Sequence, residues 1–211
     1  MKAIVPSLSS RRFTELASKA YADQLDHEAL AYLMGPDRLL SAEAIEAHRL
    51  GVVRSPEPGH EVVRNYLSIP YLTPDGECIS IRFRRLGDGD GPKYRSMAGD
   101  PPRLYGTEAL QRGTRNICLT EGEFDRIIAN QCGLPAVGCP GVQAWEPVWA
   151  RLLVQFDAVY VLHDDDDPGR ELVAKVANGL DNVRPIPMTG GDVTSFFGTH
   201  GRDDLRAKLG A

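Results

Sequence analysis

The chain has 211 residues, of which 42% are hydrophobic and 25% are charged, and its formal net charge is -5. This composition predicts a globular protein with a well-buried core, arranged as one large or two small domains. Residues 1–12 lack the apolar core of a signal peptide, and no stretch approaches the roughly 20 apolar residues of a membrane helix. We therefore expect a cytoplasmic protein with no membrane partner.

The cysteine and histidine patterns argue against a zinc site. The four cysteines form no Cys-x-x-Cys pair, and the five histidines are scattered along the chain. A zinc ribbon needs clustered ligands, and a disulfide framework is typical of short secreted chains. We expect reduced, mostly buried thiols and no zinc in this chain.

The first 50 residues have helical periodicity. Phe13, Leu16, Ala17 and Ala20 recur at the spacing of one helix face, which predicts that they form a buried stripe. Ser41 precedes a second helical pattern and is placed to cap it. The sequence predicts two or three short helices before residue 51.

An extended pattern follows. Residues 67–72 and 78–83 flank a Pro-Asp-Gly turn at 74–76, which predicts a β-hairpin. Alternation places Arg82 and Arg84 on one face of the second strand. A glycine-rich loop at 87–92 then leads into Lys93-Tyr94-Arg95. Residues 81–115 carry eight Arg or Lys against four Asp or Glu, which fits either a phosphate-binding surface or a solvated hairpin.

From residue 114 onward strands alternate with helices. The pattern predicts strands at 117–120, 135–138, 158–162 and 182–187. It predicts helices at 123–131, 145–154 and 169–178, with helical segments again at 193–197 and 202–209. Such alternation is typical of a parallel sheet flanked by helices. We therefore predict an α/β domain at 114–211, preceded by a small, basic α+β domain at 1–113.

Two of these strands end in acidic loops. Glu121 follows the strand at 117–120, and four consecutive aspartates, Asp164 to Asp167, follow the strand at 158–162. Ligands of open parallel sheets bind beyond the carboxyl ends of the strands, so these side chains are expected to converge. Closely spaced carboxylates repel one another, and hard cations such as Mg²⁺ or Mn²⁺ neutralise them. The residues alone predict a metal-dependent enzyme that acts on phosphates.

The acidic motifs also resemble a known family. Leu119-Thr120-Glu121-Gly122-Glu123-Phe124-Asp125, followed by Asp164-x-Asp166-x-x-Gly169-Arg170, resembles the Toprim domain of primases, topoisomerases and related nucleases. The preceding half, with Ile69-Pro70-Tyr71, Pro92-Lys93-Tyr94 and Leu104-Tyr105-Gly106, resembles the DnaG-type primases of bacteria and phages. The combined resemblance covers roughly residues 28–200.

The resemblance implies an RNA polymerase core made of a basic N-terminal subdomain and a Toprim subdomain. Such a core synthesises short RNA primers on a single-stranded DNA template from ribonucleoside triphosphates, and it works with a replicative helicase. The chain lacks the zinc ribbon that such primases commonly carry, so a separate zinc-binding primase subunit is a possible partner. It also has Asp165 where the family usually has a small residue, and Gly106-Thr107 lacks a lysine often found there.

The resemblance assigns roles to individual residues. Asp164 and Asp166 are expected to be metal ligands, and Glu121 a metal ligand or the general base for the attacking hydroxyl. Asp192 fits a metal ligand or a helix N-cap equally well. Asp125 is expected to support the site by orienting a basic side chain or an ion, or to form a structural salt bridge. The nucleotide or template contacts are expected to be Lys93, Tyr94, Arg82, Arg84 and Arg95. Tyr94 is expected either to stack on a base or to pack in a small core.

Two other functions remain open at this level. Toprim nucleases use a similar acidic cluster to hydrolyse phosphodiesters, although the basic first half with Pro92-Lys93-Tyr94 favours a primase. A degenerate core that only binds single-stranded DNA or a replication partner is the third hypothesis. The presence of Glu121, Asp164 and Asp166 disfavours that last alternative.

Overall fold

The computed structural model describes residues 6–87 and 90–210, which form two compact units. The first contains the described residues up to Gly35 together with Ser41–Pro101. The second contains Pro36–Leu40 and the described residues from Pro102 onward. The division lies before the predicted boundary at 113/114, because Tyr105 and Gly138 exchange two backbone hydrogen bonds of 2.9 Å within the second unit.

The first unit combines three helices with an antiparallel sheet. The helices are α1 (Leu8–Ala22), α2 (His27–Met34) and α3 (Ala42–Ala47). The strands, which are hydrogen-bonded in the order β1-β2-β3-β4, are β1 (Gly51–Val52), β2 (Tyr66–Leu72), β3 (Cys78–Arg85) and β4 (Tyr94–Ser96). The predicted hairpin is confirmed, and Ser41 caps α3 by accepting a hydrogen bond from the Ala44 amide. Residues 88 and 89 of the predicted glycine-rich loop lie outside the described residues.

The buried face of α1 differs from the predicted stripe. Ala17, Ser18 and Tyr21 are buried, whereas Phe13 is 37% and Leu16 is 59% exposed. The helix is rotated because the Tyr21 side chain enters the core, where its ring packs edge-to-face against Phe83 at 6.3 Å between centroids. The predicted stripe is therefore confirmed at Ala17 and wrong at Phe13 and Leu16.

Glu15 attaches α1 to the first residue of β3. One of its oxygens accepts hydrogen bonds from Arg49 Nη1 at 2.9 Å and from the Cys78 amide at 2.7 Å. Lys19 lies 2.9 Å from the other oxygen. Burial by itself disfavours ionisation of Glu15, but these hydrogen bonds and charges outweigh it and lower its pKa to about 2.

We expect Glu15→Gln to destabilise the protein by about 1–2 kcal/mol at pH 7, since the charge-assisted hydrogen bonds weaken. Because the folded-state pKa is depressed, this stabilisation is complete above the unfolded pKa of 4.5 and is lost as the pH falls towards 2. Urea unfolding between pH 7 and pH 3 should show the two proteins converging in acid. Glu28→Gln, at an exposed ion pair with Arg54, is the control and should cost at most about 0.5 kcal/mol. A difference that does not change with pH would contradict the assignment.

The second unit is built on a parallel sheet with the strand order β6-β5-β7-β8. Its strands are β5 (Asn116–Thr120), β6 (Ala136–Gly138), β7 (Ala158–Asp164) and β8 (Val183–Met188). Its helices are α4 (Glu123–Gln131), α5 (Ala150–Leu153), α6 (Asp167–Ala177) and α7 (Val193–Ala207). The predicted parallel sheet flanked by helices is confirmed. The edge strand β8 accommodates Pro185 and Pro187, as edge strands do.

One predicted helix of this unit is wrong. Instead of a single helix at 145–154, the chain forms short 3-10 turns at Val142–Ala144 and Pro147–Trp149 before the four-residue α5. Pro147 disfavours helical backbone at the residue before it, and Glu146 is accordingly extended (φ -106°, ψ 122°). Helix α7 is broken at Gly201 (φ 82°), which explains why its sequence resembles two separate segments.

All four cysteines are free and buried, as the sequence predicts. None of the helices in the part of the chain that the structure describes combines the length and hydrophobicity required to cross a bilayer.

Candidate functional site

The site lies at the carboxyl edge of the parallel sheet. β5 and β7 are neighbours, with Thr120 paired to Leu162, so the residues that follow them emerge at the same edge. Glu121 comes directly after β5, and Asp164 is the last residue of β7. The topology thus brings together two carboxylates that lie more than 40 residues apart in the sequence.

The electrostatics of these carboxylates show that they share one environment. Burial, and then the charges of Asp164 and Asp166, raise the pKa of Glu121 to about 7. Burial and the charges of Asp192 and Asp166 raise the pKa of Asp164, which His163 partly offsets. Like charges in a partly buried site disfavour each other's ionised forms. The charges of Asp166 and Asp192 thus act on Glu121 or Asp164, and we call these four residues the acidic cluster.

Glu121 also has an unsatisfied oxygen. Its Oε2 is buried and has no hydrogen-bond partner. An unpaired buried carboxylate oxygen costs free energy unless a donor or a cation contacts it. The loop that holds it is fixed from the other side, because the Gly141 amide donates to the Glu121 carbonyl at 3.2 Å. The Oε2 atom of Glu121 is thus a hydrogen-bond acceptor that no donor contacts, although the backbone of Glu121 is held in place.

Asp166 and Asp192 both cap helices. Asp166 Oδ1 accepts a hydrogen bond from the Gly169 amide at 2.8 Å at the start of α6. Asp192 Oδ1 accepts from both the amide and the hydroxyl of Ser195, each at 2.7 Å, at the start of α7. For Asp192 the N-cap alternative is confirmed, and its charge still acts on Asp164. Asp166 and Asp192 therefore each cap a helix and also belong to the acidic cluster.

Among the described residues, Asp125 is hydrogen-bonded to Thr194 and forms no salt bridge with a basic side chain. Its Oδ1 accepts hydrogen bonds from the Thr194 amide at 3.2 Å and the Thr194 hydroxyl at 3.0 Å, not from a basic side chain. Burial and the charge of Asp192 raise its pKa to about 7, against the effect of the Thr194 bonds. Asp125 thus connects α4 to the first turn of α7.

The acidic cluster fits a hard divalent cation in its chemistry. Its donors are carboxylate oxygens, one of them buried and unsatisfied, and Mg²⁺ and Mn²⁺ prefer such ligands over sulfur or nitrogen. Within residues 6–87 and 90–210, no three His, Cys, Asp or Glu side chains are already arranged as a metal site. The carboxylates thus lie at one edge of the sheet, but no three of them in the described residues are arranged to ligate a metal ion.

A cavity of about 580 Å³ adjoins this cluster. Its wall on the side of α6 is fixed by Gln143, which donates to the Glu171 carboxylate and accepts from Lys175. The lining residues are Glu121, Pro140, Gly141, Val142, Gln143, Ala144, Pro168 and Glu171. The cavity provides space for a substrate group beside Glu121.

The predicted basic residues lie on β3, on β4 and directly before β4 in the first unit, and they differ in exposure. Arg82 and Arg84 share a strand face, as predicted, because both guanidinium groups lie over the Tyr94 ring, at 4.3 and 5.1 Å from its centroid. Arg84 is only 8% exposed and donates to the hydroxyls of Tyr32 and Tyr94. Arg84 therefore positions Tyr94 and is not an exposed phosphate contact. Lys93 is exposed, and Arg95 is half-buried beside Tyr66.

Two residues of the second unit were missed by sequence reasoning. Thr194 is 3% exposed and donates twice to Asp125. Arg126 is fully buried, donates to the Ala136 carbonyl at 2.9 Å and pairs with Glu108. Neither residue belongs to a recognisable motif. The one sequence signal for Arg126 was a charged residue on the apolar face of a predicted helix.

Comparison with solved structures defines the fold. The Aquifex aeolicus primase (zinc binding and RNA polymerase domains) matches with a TM-score of 0.77 at 20% identity, over 95% of this chain and 60% of that chain. A DnaG primase catalytic domain bound to single-stranded DNA matches with a TM-score of 0.77 at 20% identity, over 96% of this chain and 78% of that one. The primase fragment of the bacteriophage T7 primase-helicase protein gives 0.65 at 20% identity, over 82% and 72%. The chain has the fold of a DnaG-type primase catalytic core.

Sequence comparison identifies a relative of this chain in a bacteriophage. It is 45% identical over 151 residues to the Gene 57 protein of Mycobacterium phage D29, covering 69% of this chain and 99% of that protein. The chain belongs to the same family as this phage protein. No family profile matches it.

Proposed function

We propose that this protein is the catalytic core of a DNA primase, a nucleotidyltransferase that extends short RNA primers on single-stranded DNA during replication. The observation that carries the proposal is the buried, unsatisfied Oε2 of Glu121 beside Asp164, at the carboxyl edge of a sheet with the DnaG-type fold. This combination supports a site that binds a divalent cation, in the fold of enzymes that make RNA primers.

In this proposal Glu121, Asp164, Asp166 and Asp192 hold Mg²⁺ or Mn²⁺. A bound cation would supply charge stabilisation to the attacking hydroxyl and to the leaving pyrophosphate. Alternatively to ligating the cation, Glu121, whose pKa is raised to about 7 by burial and by the charges of Asp164 and Asp166, would accept the proton of the attacking 3′-hydroxyl near neutral pH. The caps formed by Asp166 and Asp192 keep the cluster oriented, because each carboxylate is anchored to the first turn of a helix.

The basic strand pair of the first unit is proposed to bind phosphates. Lys93 is exposed and Arg82 is half-buried against Tyr94, so both present charge to a nucleotide or a template. Arg82 covers the Tyr94 ring, which supports a role for Tyr94 in orienting Arg82 more than in stacking on a base. Single-stranded DNA and ribonucleoside triphosphates are the proposed ligands. A replicative helicase and a separate zinc-binding subunit are the proposed protein partners.

Primer extension tests the proposal without depending on initiation. A short RNA annealed to single-stranded DNA is incubated with the protein, ribonucleotides and Mg²⁺ or Mn²⁺, and product length is read on a denaturing gel. We expect growth of the RNA that stops on addition of a chelator. Cation-dependent cleavage of the DNA without extension of the RNA would instead identify a nuclease. If neither activity is observed, the protein is a module that only binds single-stranded DNA or a replication partner.

Asp164→Asn is expected to lower the extension rate at least about 100-fold, because it removes a charged ligand from the cluster. Asp167→Asn is the matched control, since Asp167 lies in the same aspartate run but its side chain is 96% exposed and pairs with Arg170. It should retain activity within about threefold, as expected for an exposed ion pair. Equal losses in the two variants would refute the assignment of Asp164.

A further inference from the structure

Thr194, in the first turn of α7, is hydrogen-bonded to Asp125 in α4. Thr194 donates from its amide and its hydroxyl to the same atom, Asp125 Oδ1, at 3.2 and 3.0 Å. Both residues lie in the second unit, 69 positions apart in the chain. Thr194 is 3% exposed, so water does not compete effectively for this contact. In such buried surroundings a hydrogen bond is electrostatically stronger than it would be in water.

The segment before this contact has little intrinsic rigidity. Gly190 and Gly191 have φ angles of 92° and 142°, a region of backbone conformation that glycine adopts readily. Asp192 comes immediately after them, and its backbone is extended at the N-cap position. Because the glycines impose little constraint, the first turn of α7 determines the position of Asp192.

Two anchors hold that turn in place. Val193 is 1% exposed and contributes apolar burial, which has no direction. The Thr194 bonds are directional and end on Asp125, which lies in the first turn of α4, four residues after Glu121. Asp125 thereby connects the helix that follows Glu121 to the turn that presents Asp192.

The arrangement works against electrostatic repulsion. The charges of Asp192 and Asp125 act on each other, and the charge of Asp192 acts on Asp164. Without a directional contact, the glycine turn would allow Asp192 to move away from the other carboxylates. The two hydrogen bonds from Thr194 to Asp125 oppose that movement.

We propose that Thr194 is a positioning residue that, through its two hydrogen bonds to Asp125, holds Asp192 against Asp164 and so sets the divalent-cation affinity of the acidic cluster. The inference rests on the proposed function, since it assumes that the cluster binds a cation. It adds a residue that acts through another and touches neither cation nor substrate.

Calorimetric titration of the full chain with Mn²⁺ tests this role. Thr194→Val keeps the shape of the side chain but lacks the hydroxyl donor, and we expect it to weaken Mn²⁺ binding about five- to tenfold, the effect of one lost hydrogen bond. Thr194→Ser keeps the donor and should bind within about twofold of the unmodified protein. Thr199→Val is the matched control, because Thr199 lies on the same helix and its hydroxyl donates to the carbonyl of the exposed Ser195. It should leave the affinity unchanged.

A second measurement separates positioning from catalysis. At saturating Mn²⁺ the extension rate of Thr194→Val should recover to that of the unmodified protein, because occupancy is restored. If this variant does not fold, Thr194→Ala lacks the same hydroxyl and replaces it in both measurements.

The outcomes distinguish this inference from the function on which it rests. Unmodified protein that binds no Mn²⁺ would overturn both. A folded Thr194→Val that binds Mn²⁺ normally, or whose rate stays low at saturation, would overturn the positioning role alone.

Discussion

Substitution of Glu121 by glutamine is expected to reduce primer extension at least about 100-fold, the scale at which single transition-state contacts act. The change removes one negative charge and replaces a carboxylate oxygen with an amide group, while the side chain keeps its length. A neutral amide is a poorer ligand for Mg²⁺ and no base for a hydroxyl proton. The measurement is the extension rate on a primed template at fixed Mg²⁺.

The same substitution is expected to stabilise the cation-free protein. Glu121 Oε2 is buried without a partner, and Asp164 and Asp166 repel its charge. Removing that charge should raise the free energy of unfolding by about 1 kcal/mol in chelator at pH 8, since an unsatisfied buried charge costs at least that much. Opposite changes in activity and stability are the signature of a site that is strained for function.

Glu46→Gln provides the control for both measurements. Glu46 is exposed on α3 in the first unit and undergoes the same loss of charge. It should change neither activity nor stability by more than experimental error. A Glu121→Gln protein that is less stable in chelator would show that Glu121 has a structural role. A variant that extends primers normally would show that catalysis does not need the Glu121 carboxylate.

Much of this site was predictable because it depends on strand order and little else. Parallel strands deliver their carboxyl ends to one edge, so Glu121 and Asp164 could be placed together once β5 and β7 were recognised. The two strands were recognised from short apolar runs followed by charged residues. This pattern is local in the sequence, so it can be identified without knowing how the side chains pack.

Contacts that depend on rotation or tertiary packing were not predictable. Arg84 was correctly placed on the face of Arg82, but alternation does not reveal that two tyrosine hydroxyls bury it. Phe13 and Leu16 were wrongly predicted to lie on the buried face of α1, because burial of the Tyr21 ring determines which face of the helix contacts the core. Thr194 carries no distinguishing pattern, since its partner Asp125 lies in a different helix.

Gly169 shows why one position of the acidic motif has no side chain. It is the third residue of α6 and is buried at the point where the helix passes the end of β7. A Cβ atom placed on Gly169 would lie 2.1 Å from the Asp164 carbonyl oxygen and 3.0 Å from its carbonyl carbon. These are backbone atoms, so no side-chain rotation can relieve the overlap. The glycine permits the close approach of α6 to Asp164.

We therefore expect Gly169→Ala to be among the most damaging single changes in the chain. Relief of the overlap requires α6 or the end of β7 to move, at a cost of about 2–3 kcal/mol for overpacking. Because the displaced residue is Asp164 itself, a shift of about 1 Å should also reduce extension roughly 100-fold. Urea unfolding and primer extension measure the two effects.

Gly198→Ala separates this effect from the general consequence of adding a methyl group to a helix. At Gly198 the new Cβ would lie 2.8 Å from Leu39 Cδ1, the end of a flexible side chain that can turn away. Alanine also favours the helix interior over glycine by up to about 1 kcal/mol, which offsets the contact. We expect Gly198→Ala to remain active and close to the unmodified protein in stability. If Gly169→Ala behaves in the same way, then α6 does not determine the position of Asp164, and the glycine of the motif needs another explanation.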